Sequence, residues 1–185
     1  MKLILASQSP RRKELLSTLV DNFDIIPAQG EEMFVGNDID QALIAVAKAK
    51  AGEVWDTHPD CAVLGADTIV WHEGKILGKP KNEQDAIDTL KSLSGQWHEV
   101  KTGVVLLSDQ QTKEAVSTTR VRFRELSDEE IEAYVKSGKP MDKAGSYGIQ
   151  ETHFVDAIEG SRTNVIGLPL EILEDWGFSK AQPNF

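Results

Sequence analysis

Three cations open a helix directly behind two serines in Ser7-Gln8-Ser9-Pro10-Arg11-Arg12-Lys13. Cations at a helix N-terminus oppose its dipole, at a cost of roughly 0.3–1 kcal/mol each where exposed. The same end gathers free backbone N–H groups, two hydroxyls and two guanidinium forks, a donor set that suits a phosphate. A solvated helix start whose arginines pair with distant acids is the other reading. A second candidate is Gly65-Ala66-Asp67-Thr68-Ile69-Val70. A carboxylate inside an apolar run is costly unless it meets a metal, a lysine or water. The small residues before it leave room for a ligand. Asp67 could then bind a divalent ion or activate a water, or it could be a turn aspartate closing a strand.

Two further segments add weaker chemistry. In Gly78-Lys79-Pro80 a lysine in a tight turn could clamp a phosphate as a point charge. Lys50 and Glu32 each have a plain reading as a helix-surface or loop charge. Asp142-Lys143-Ala144-Gly145-Ser146-Tyr147-Gly148-Ile149-Gln150 combines two glycines, a tyrosine that looks buried and a terminal amide. Gln150 carries both a donor and an acceptor, so it can read a base edge; glycine-rich turns also arise for structural reasons. Asn164 to Pro169 reads as a structural strand-to-helix turn. There is no Gly-x4-Gly-Lys-Ser/Thr loop, no Gly-x-Gly-x-x-Gly fingerprint and no Gly-x-Ser-x-Gly elbow. His58, His72, His98 and His153 lack metal-ligand spacing.

The elements that must position these residues follow from local pattern. Leu3 to Ala6 predicts a buried strand, and Ser9 with Pro10 predicts a capped helix whose Leu15, Leu16 and Leu19 face inward. A second strand is expected over Phe23 to Ile26. Asp40 is expected to cap an alanine-rich helix with Leu43, Val46 and Ala47 inward. Ala62 to Trp71 is one apolar run interrupted by Asp67-Thr68, and a short strand ends at Leu77. Ala86, Ile87, Leu90 and Leu93 give a helical stripe over Glu83 to Leu93. Gly103 to Leu107 and Ala115 to Phe123 read as strands, with Arg120, Arg122 and Arg124 along one face. Ser127 and Glu130 form a capping box for a helix that Gly138 ends. A strand at Phe154 to Ile158 and a final helix from Pro169 to Trp176 complete the series. This mixture without strict alternation predicts an α/β fold with a mixed sheet.

Composition sets the frame for these sites. The chain has 185 residues, 40% hydrophobic and 27% charged, which suits a globular domain and is too apolar for disorder. One domain over 1–185 is expected, or at most one domain with a small lobe. The net charge of −10 argues against coating a nucleic-acid polymer or an anionic membrane. No stretch approaches a membrane span or a complete signal peptide. The single cysteine, Cys61, allows no internal disulfide and fits a reducing, cytoplasmic setting. Residues 1–13 nevertheless hold Lys2, Arg11, Arg12 and Lys13 and no acid. Basic charge rationed to a few motif positions suits one small anionic molecule.

Together, Ala6 to Leu16, Gly65 to Val70, Gly78 to Pro80, Asp142 to Gln150 and Asn164 to Pro169 resemble the Maf family of nucleoside triphosphate pyrophosphatases. The match runs through nearly the whole chain. The resemblance implies an elongated α/β structure, a mixed β-sheet flanked by helices with a central cleft, often as a homodimer. It implies hydrolysis of a nucleoside triphosphate to monophosphate and pyrophosphate with Mg²⁺ or Mn²⁺, house-cleaning of nucleotide pools, and in some members a link to cell-division arrest. Asp67 is then the general base. Ser7, Arg12, Lys50 and Lys79 line the phosphates, and Glu32 joins Asp67 at the metal. Arg11, Thr68 and Gln150 match the branch acting on dTTP and UTP. The branch acting on 7-methyl-GTP tends to carry an aromatic residue and a glutamate at the positions of Arg11 and Gln150. A neutral amide suits a pyrimidine carbonyl and N3–H. One departure is that Glu151-Thr152-His153 follows Gln150 where family members commonly have a glycine-containing loop. The mechanism expected is attack of an Asp67-activated water on the α-phosphorus, with electrostatic stabilisation by the surrounding cations. A nucleotide-binding regulator with little hydrolysis, or a phosphatase releasing orthophosphate, would use the same residues differently.

Overall fold

Leu3 to Ala6 and Ala62 to Ala66 carry no polar side chain, as strands covered on both faces do. In the computed structural model, which describes residues 1–180, Leu3 to Leu5 form β1 (Leu3–Leu5) and Ala62 to Ala66 open β3 (Ala62–His72). The last five residues of the expected 1–185 domain lie outside the described residues. The other elements are α1 (Pro10–Leu19), β2 (Asp24–Ile25), α2 (Ile39–Trp55), β4 (Lys75–Leu77), α3 (Glu83–Leu93), β5 (Trp97–Leu107), β6 (Thr112–Phe123) and α4 (Asp128–Lys136). Short 3₁₀ turns at Lys139–Asp142 and Ala144–Ser146 precede β7 (Val155–Glu159), α5 (Arg162–Ile166) and α6 (Leu170–Asp175). The strands form a mixed sheet in the order β2-β1-β3-β5-β6-β7, with β4 paired to β3. β1 is parallel to β2 and β3, while β3–β4 and β6–β7 are antiparallel. The fold is α/β with a mixed sheet, as expected.

The chain divides into two compact units. The first comprises 1–67, 102–117 and the described part of 167–185. Alternate residues of its strands enter different cores, as the strand period of two requires. Leu3, Leu5, Ala62, Leu64, Ala66, Val104 and Leu106 pack with Leu16 of α1 and Leu173 of α6. Ile4, Val63, Val105 and Leu107 pack instead with Ala47, Ala51 and Val54 of α2. α2 sits close because β3 and β5 present glycines to it. A Cβ at Gly65 would lie 2.5 Å from the Ala47 carbonyl oxygen and 2.9 Å from the Ala51 Cβ, and one at Gly103 would lie 3.0 Å from Leu43. The absent side chain of Gly65 therefore admits a helix and not, as its sequence setting suggested, a ligand.

The second unit comprises 68–101 and 118–166. Its core joins Ala86, Leu90 and Leu93 of α3, Ile131 and Val135 of α4, Val121 and Phe123 of β6, and Tyr147 and Ile149. Arg120 and Arg122 alternate with Val121 and Phe123 and stay exposed, so β6 is covered on one face here. His98, Phe123 and Tyr147 pack edge to face, and His98 Nε2 lies 2.7 Å from the Tyr147 hydroxyl.

Three local expectations need correcting. Asp38, not Asp40, caps α2, accepting the Asp40 and Gln41 N–H groups; Asp40 already lies in the first turn, two residues beyond the point where the backbone enters the helix. Asp67 is not a turn aspartate closing a strand, because β3 passes through both Asp67 and Thr68. Asn164 lies inside the short helix α5, so Asn164 to Pro169 runs from helix to helix and not from strand to helix. The capping box at Ser127 and Glu130, the Ser9 cap and the bounds of α3 match the local signals. Cys61 is free and buried, and burial is the first cause that pushes its thiol pKa up. Among the described residues no helix is long and apolar enough to cross a membrane.

Two measurements check this packing. Gly65→Ala should destabilise the protein by about 2–3 kcal/mol in urea unfolding, because helix backbone and not a flexible side chain blocks the new methyl. Burial holds the His98 imidazole neutral, lowering its pKa to about 3. The unfolded chain gains that proton near pH 6.5, so stability should decline as pH falls from there toward 3. In NMR titrations one of the four histidine ring signals should remain unshifted between pH 8 and 5, and His98→Gln should remove that signal.

Candidate active site

β1 ends against the start of α1, where Ala6 N–H bonds the Leu64 carbonyl and fixes the turn. Ser7 is buried at this corner, and its Oγ accepts the Ser9 N–H at 3.2 Å. Ser9 caps α1 by accepting the Arg12 N–H at 3.3 Å. The helix thus starts with Arg11 and Arg12 in its first turn, both partly buried. Arg12 turns back across the corner: its Nε donates to the Gly167 carbonyl at 2.7 Å and Nη1 to Ser7 Oγ at 3.4 Å. Gly167 has φ +138°, a conformation that glycine alone adopts readily.

The carboxylates arrive from the opposite face of β3. Two residues beyond Gly65, Asp67 points to the same side as α2, and Lys50 stands three residues beyond Ala47 on that helix. Lys50 Nζ lies 2.9 Å from Asp67 Oδ1 and 2.6 Å from Glu32 Oε1. Asp67 is 4% exposed, and its second oxygen, Oδ2, is buried without a hydrogen-bond partner. Burial raises the Asp67 pKa; the Lys50 charge opposes that shift, Glu32 adds to it, and Arg12 opposes it. Burial lowers the Arg12 pKa, while Asp67 and Glu32 counteract this. Glu32 reaches the cluster from the loop after β2. That loop is pinned by Glu53 of α2, whose carboxylate accepts the Gln29 and Gly30 N–H groups at 2.6 and 2.7 Å.

The first unit therefore brings Ser7, Arg12, Glu32, Lys50 and Asp67 into one electrostatic cluster beside Arg11. Thr68, Lys79 and Gln150 belong to the second unit. Lys79 and Gln150 are exposed there, and Thr68 is partly buried. The turn carrying Lys79 is tied to the loop that leads to Gln150, because Gly145 N–H donates to the Gly78 carbonyl at 3.2 Å. Gly145 and Ser146 both take left-handed backbone angles, with φ +69° and +63°. A Cβ on Gly145 would overlap Val70, so glycine is required there on two counts.

A family profile described as Maf-like protein matches residues 2–176. The chain belongs to the Maf family. A dTTP/UTP pyrophosphatase of Aquifex aeolicus is 46% identical over 172 residues, covering 92% of this chain and 90% of the relative. A protein of the same name from Carboxydothermus hydrogenoformans is 45% identical over 187 residues, covering 96% and 100%. Among solved structures, the Staphylococcus aureus Ham1 protein superposes with a TM-score of 0.53 at 11% identity, covering 95% of this chain and 97% of that one. The likeness to Ham1 concerns the fold alone. Within this Maf protein, two supports of the site lie outside the segments read as chemistry: the Glu53 clamp and the Gly167 carbonyl. Gly167 stands in a segment read as a structural turn, and its glycine before Leu-Pro was the available clue.

Among the described residues the buried Asp67 carboxylate takes its hydrogen bond from Lys50, at 2.9 Å. Lys50→Met should therefore cost roughly 3 kcal/mol at pH 8, by leaving a buried charge uncompensated. The unpaired Asp67 would then take up a proton more readily in the folded state, so the loss should shrink as pH falls. Urea unfolding at pH 8 and pH 5 checks the sign, and adding Asp67→Asn should recover much of the loss at pH 8.

Proposed function

We propose that this Maf protein hydrolyses dTTP and UTP to the monophosphate and pyrophosphate. The observation that carries the reading is Asp67: a buried carboxylate with one oxygen on Lys50, the other unsatisfied, and cations beside it. A group so placed is expensive for a merely structural residue, and a raised pKa suits a general base. The relatives named dTTP/UTP pyrophosphatase support the substrate pair.

In this reading Ser7, Arg12, Lys50 and Lys79 hold the triphosphate. Arg12 is aimed by its bond to Gly167, so little side-chain entropy is lost when it meets an anion. Asp67 Oδ2 accepts a proton from the water that attacks the α-phosphorus. The bond to the β-phosphate oxygen breaks, and pyrophosphate leaves. Lys50 holds the carboxylate in place through Oδ1, and the fixed cations stabilise the charge that develops. Arg11, Thr68 and Gln150 select the base.

The donor set also fits a divalent cation. Among the described residues no three or more His, Cys, Asp or Glu side chains gather to hold a metal. Two carboxylates, Glu32 and Asp67, are the oxygen donors of the cluster. So few hard ligands suit Mg²⁺ or Mn²⁺ completed by phosphate oxygens and water. When bound, the cation would neutralise phosphate charge. A cytoplasmic enzyme agrees with the free, buried Cys61.

Incubation with a panel of nucleoside triphosphates and Mg²⁺ or Mn²⁺ should release pyrophosphate with TMP or UMP. Orthophosphate release, or saturable binding without turnover, overturns the reading. Asp67→Asn should lower kcat about 10³-fold, with a melting temperature close to or above that of the parent. Near-parental turnover in that variant would remove Asp67 as the base.

A further inference from the structure

Outside the catalytic cluster, the second unit holds a compact brace around Glu151. Tyr134 of α4 donates its hydroxyl to Glu151 Oε1 at 2.7 Å and accepts the Gly148 N–H at 3.0 Å. Lys143 Nζ lies 2.9 Å from the same Glu151 oxygen, 2.9 Å from Asp142 Oδ1 and 2.6 Å from the Lys139 carbonyl. Lys143 thus hydrogen-bonds Lys139 and Asp142 and ion-pairs with Glu151, which braces the loop. Gly148 opens the passage in which these groups meet: a Cβ there would lie 2.8 Å from Lys143 Cε and 3.0 Å from Glu151 Oε1. The Glu151 N–H closes the turn on the Gly148 carbonyl at 3.2 Å. Burial, then the bond to Glu151, raises the Tyr134 pKa, which keeps the phenol a donor.

Gln150 stands between two anchors. On one side Ile149 is buried in the core of the second unit; on the other Glu151 is held by Tyr134 and Lys143. Gln150 itself is exposed. From this arrangement we infer that Glu151 is a positioning residue for substrate selection, setting the backbone from which the Gln150 amide meets the base. The inference rests on the proposed base-reading role of Gln150. An amide on a pre-ordered turn reaches its partner without first paying to order the loop. Loss of the brace therefore weakens binding of the correct base and leaves the phosphate chemistry of the other unit in place.

Steady-state kinetics with UTP and CTP test this, because CTP presents an amino group and an unprotonated N3 where UTP presents a carbonyl and N3–H. Glu151→Ala should raise KM for UTP about tenfold, with kcat within about twofold, and shrink the UTP-to-CTP ratio of kcat/KM by a similar factor. Glu151→Gln keeps a partner for Tyr134 but loses the charge, and should fall between Glu151→Ala and the parent. Placed on Gln150→Ala, the Glu151→Ala change should move the ratio less than about twofold, since coupled residues do not add. If Glu151→Ala folds poorly, Tyr134→Phe should shift KM and the ratio in the same direction. If Gln150→Ala reduces discrimination and Glu151→Ala does not, the positioning role is overturned and base reading by Gln150 stands. If Gln150→Ala leaves discrimination intact, both fall together. Equal losses in kcat for both substrates with unchanged KM would mark Glu151 as structural and overturn the inference.

Discussion

The ion pair of Lys50 with Asp67 is the constraint around which the first unit is organised. A carboxylate in the middle of a buried strand has no water to solvate it, so a cation must be delivered to within hydrogen-bond distance. The cation comes from α2, and a lysine on that helix reaches β3 only if the helix lies close to the sheet. Gly65 and Gly103 provide the closeness. Alanines at 47 and 51 keep the contact thin, and Asp67 falls two residues beyond Gly65 on the same side of the strand. The glycine and the aspartate of one motif thus serve a single purpose: the first admits the helix that neutralises the second.

The pairing stops short of satisfying the group. One oxygen of Asp67 has a partner and the other is buried without one. Proteins retain such groups where they are used, since a fully partnered carboxylate has no acceptor left for a proton. The charged groups near it are fixed in different ways. Arg12 is tethered to a carbonyl and a hydroxyl, Lys50 bridges two carboxylates, and the anionic Glu32 rides on a loop that Glu53 pins by its backbone. Each of these side chains is ordered before any substrate arrives, which is the condition for strong electrostatic stabilisation.

Much of the fold was legible because the elements announce themselves locally. The capping box at Ser127, the Ser9-Pro10 helix start and the apolar stripe of α3 depend on residues a few positions apart. The chemistry-bearing segments were legible too, since a carboxylate in an apolar run and cations at a helix start both conflict with local energetics. What could not be read were contacts set by tertiary geometry. Lys50 looked like a helix-surface charge because nothing near it in the chain shows that its helix faces a buried acid. Glu53 and Gly167 act over long separations, and Glu151 was visible only as a residue following Gln150. Asp38 displaced Asp40 as a cap because both are suitable side chains and only backbone geometry decides between them.

β3 has a consequence for which changes of length the chain can tolerate. Asp67 and Thr68 are consecutive residues of one strand, and consecutive side chains leave a strand on opposite faces. Inserting or deleting a single residue between Ala62 and Gly65 would rotate every later side chain of the strand to the other face. The carboxylate would then point away from Lys50, and Gly65 would no longer stand beneath α2. Substitutions in this strand can be graded by size and charge, but a one-residue change of length would be all-or-none. The spacing from β1-paired Ala62 to Asp67 is therefore a fixed ruler, and length variation in this protein belongs in its loops.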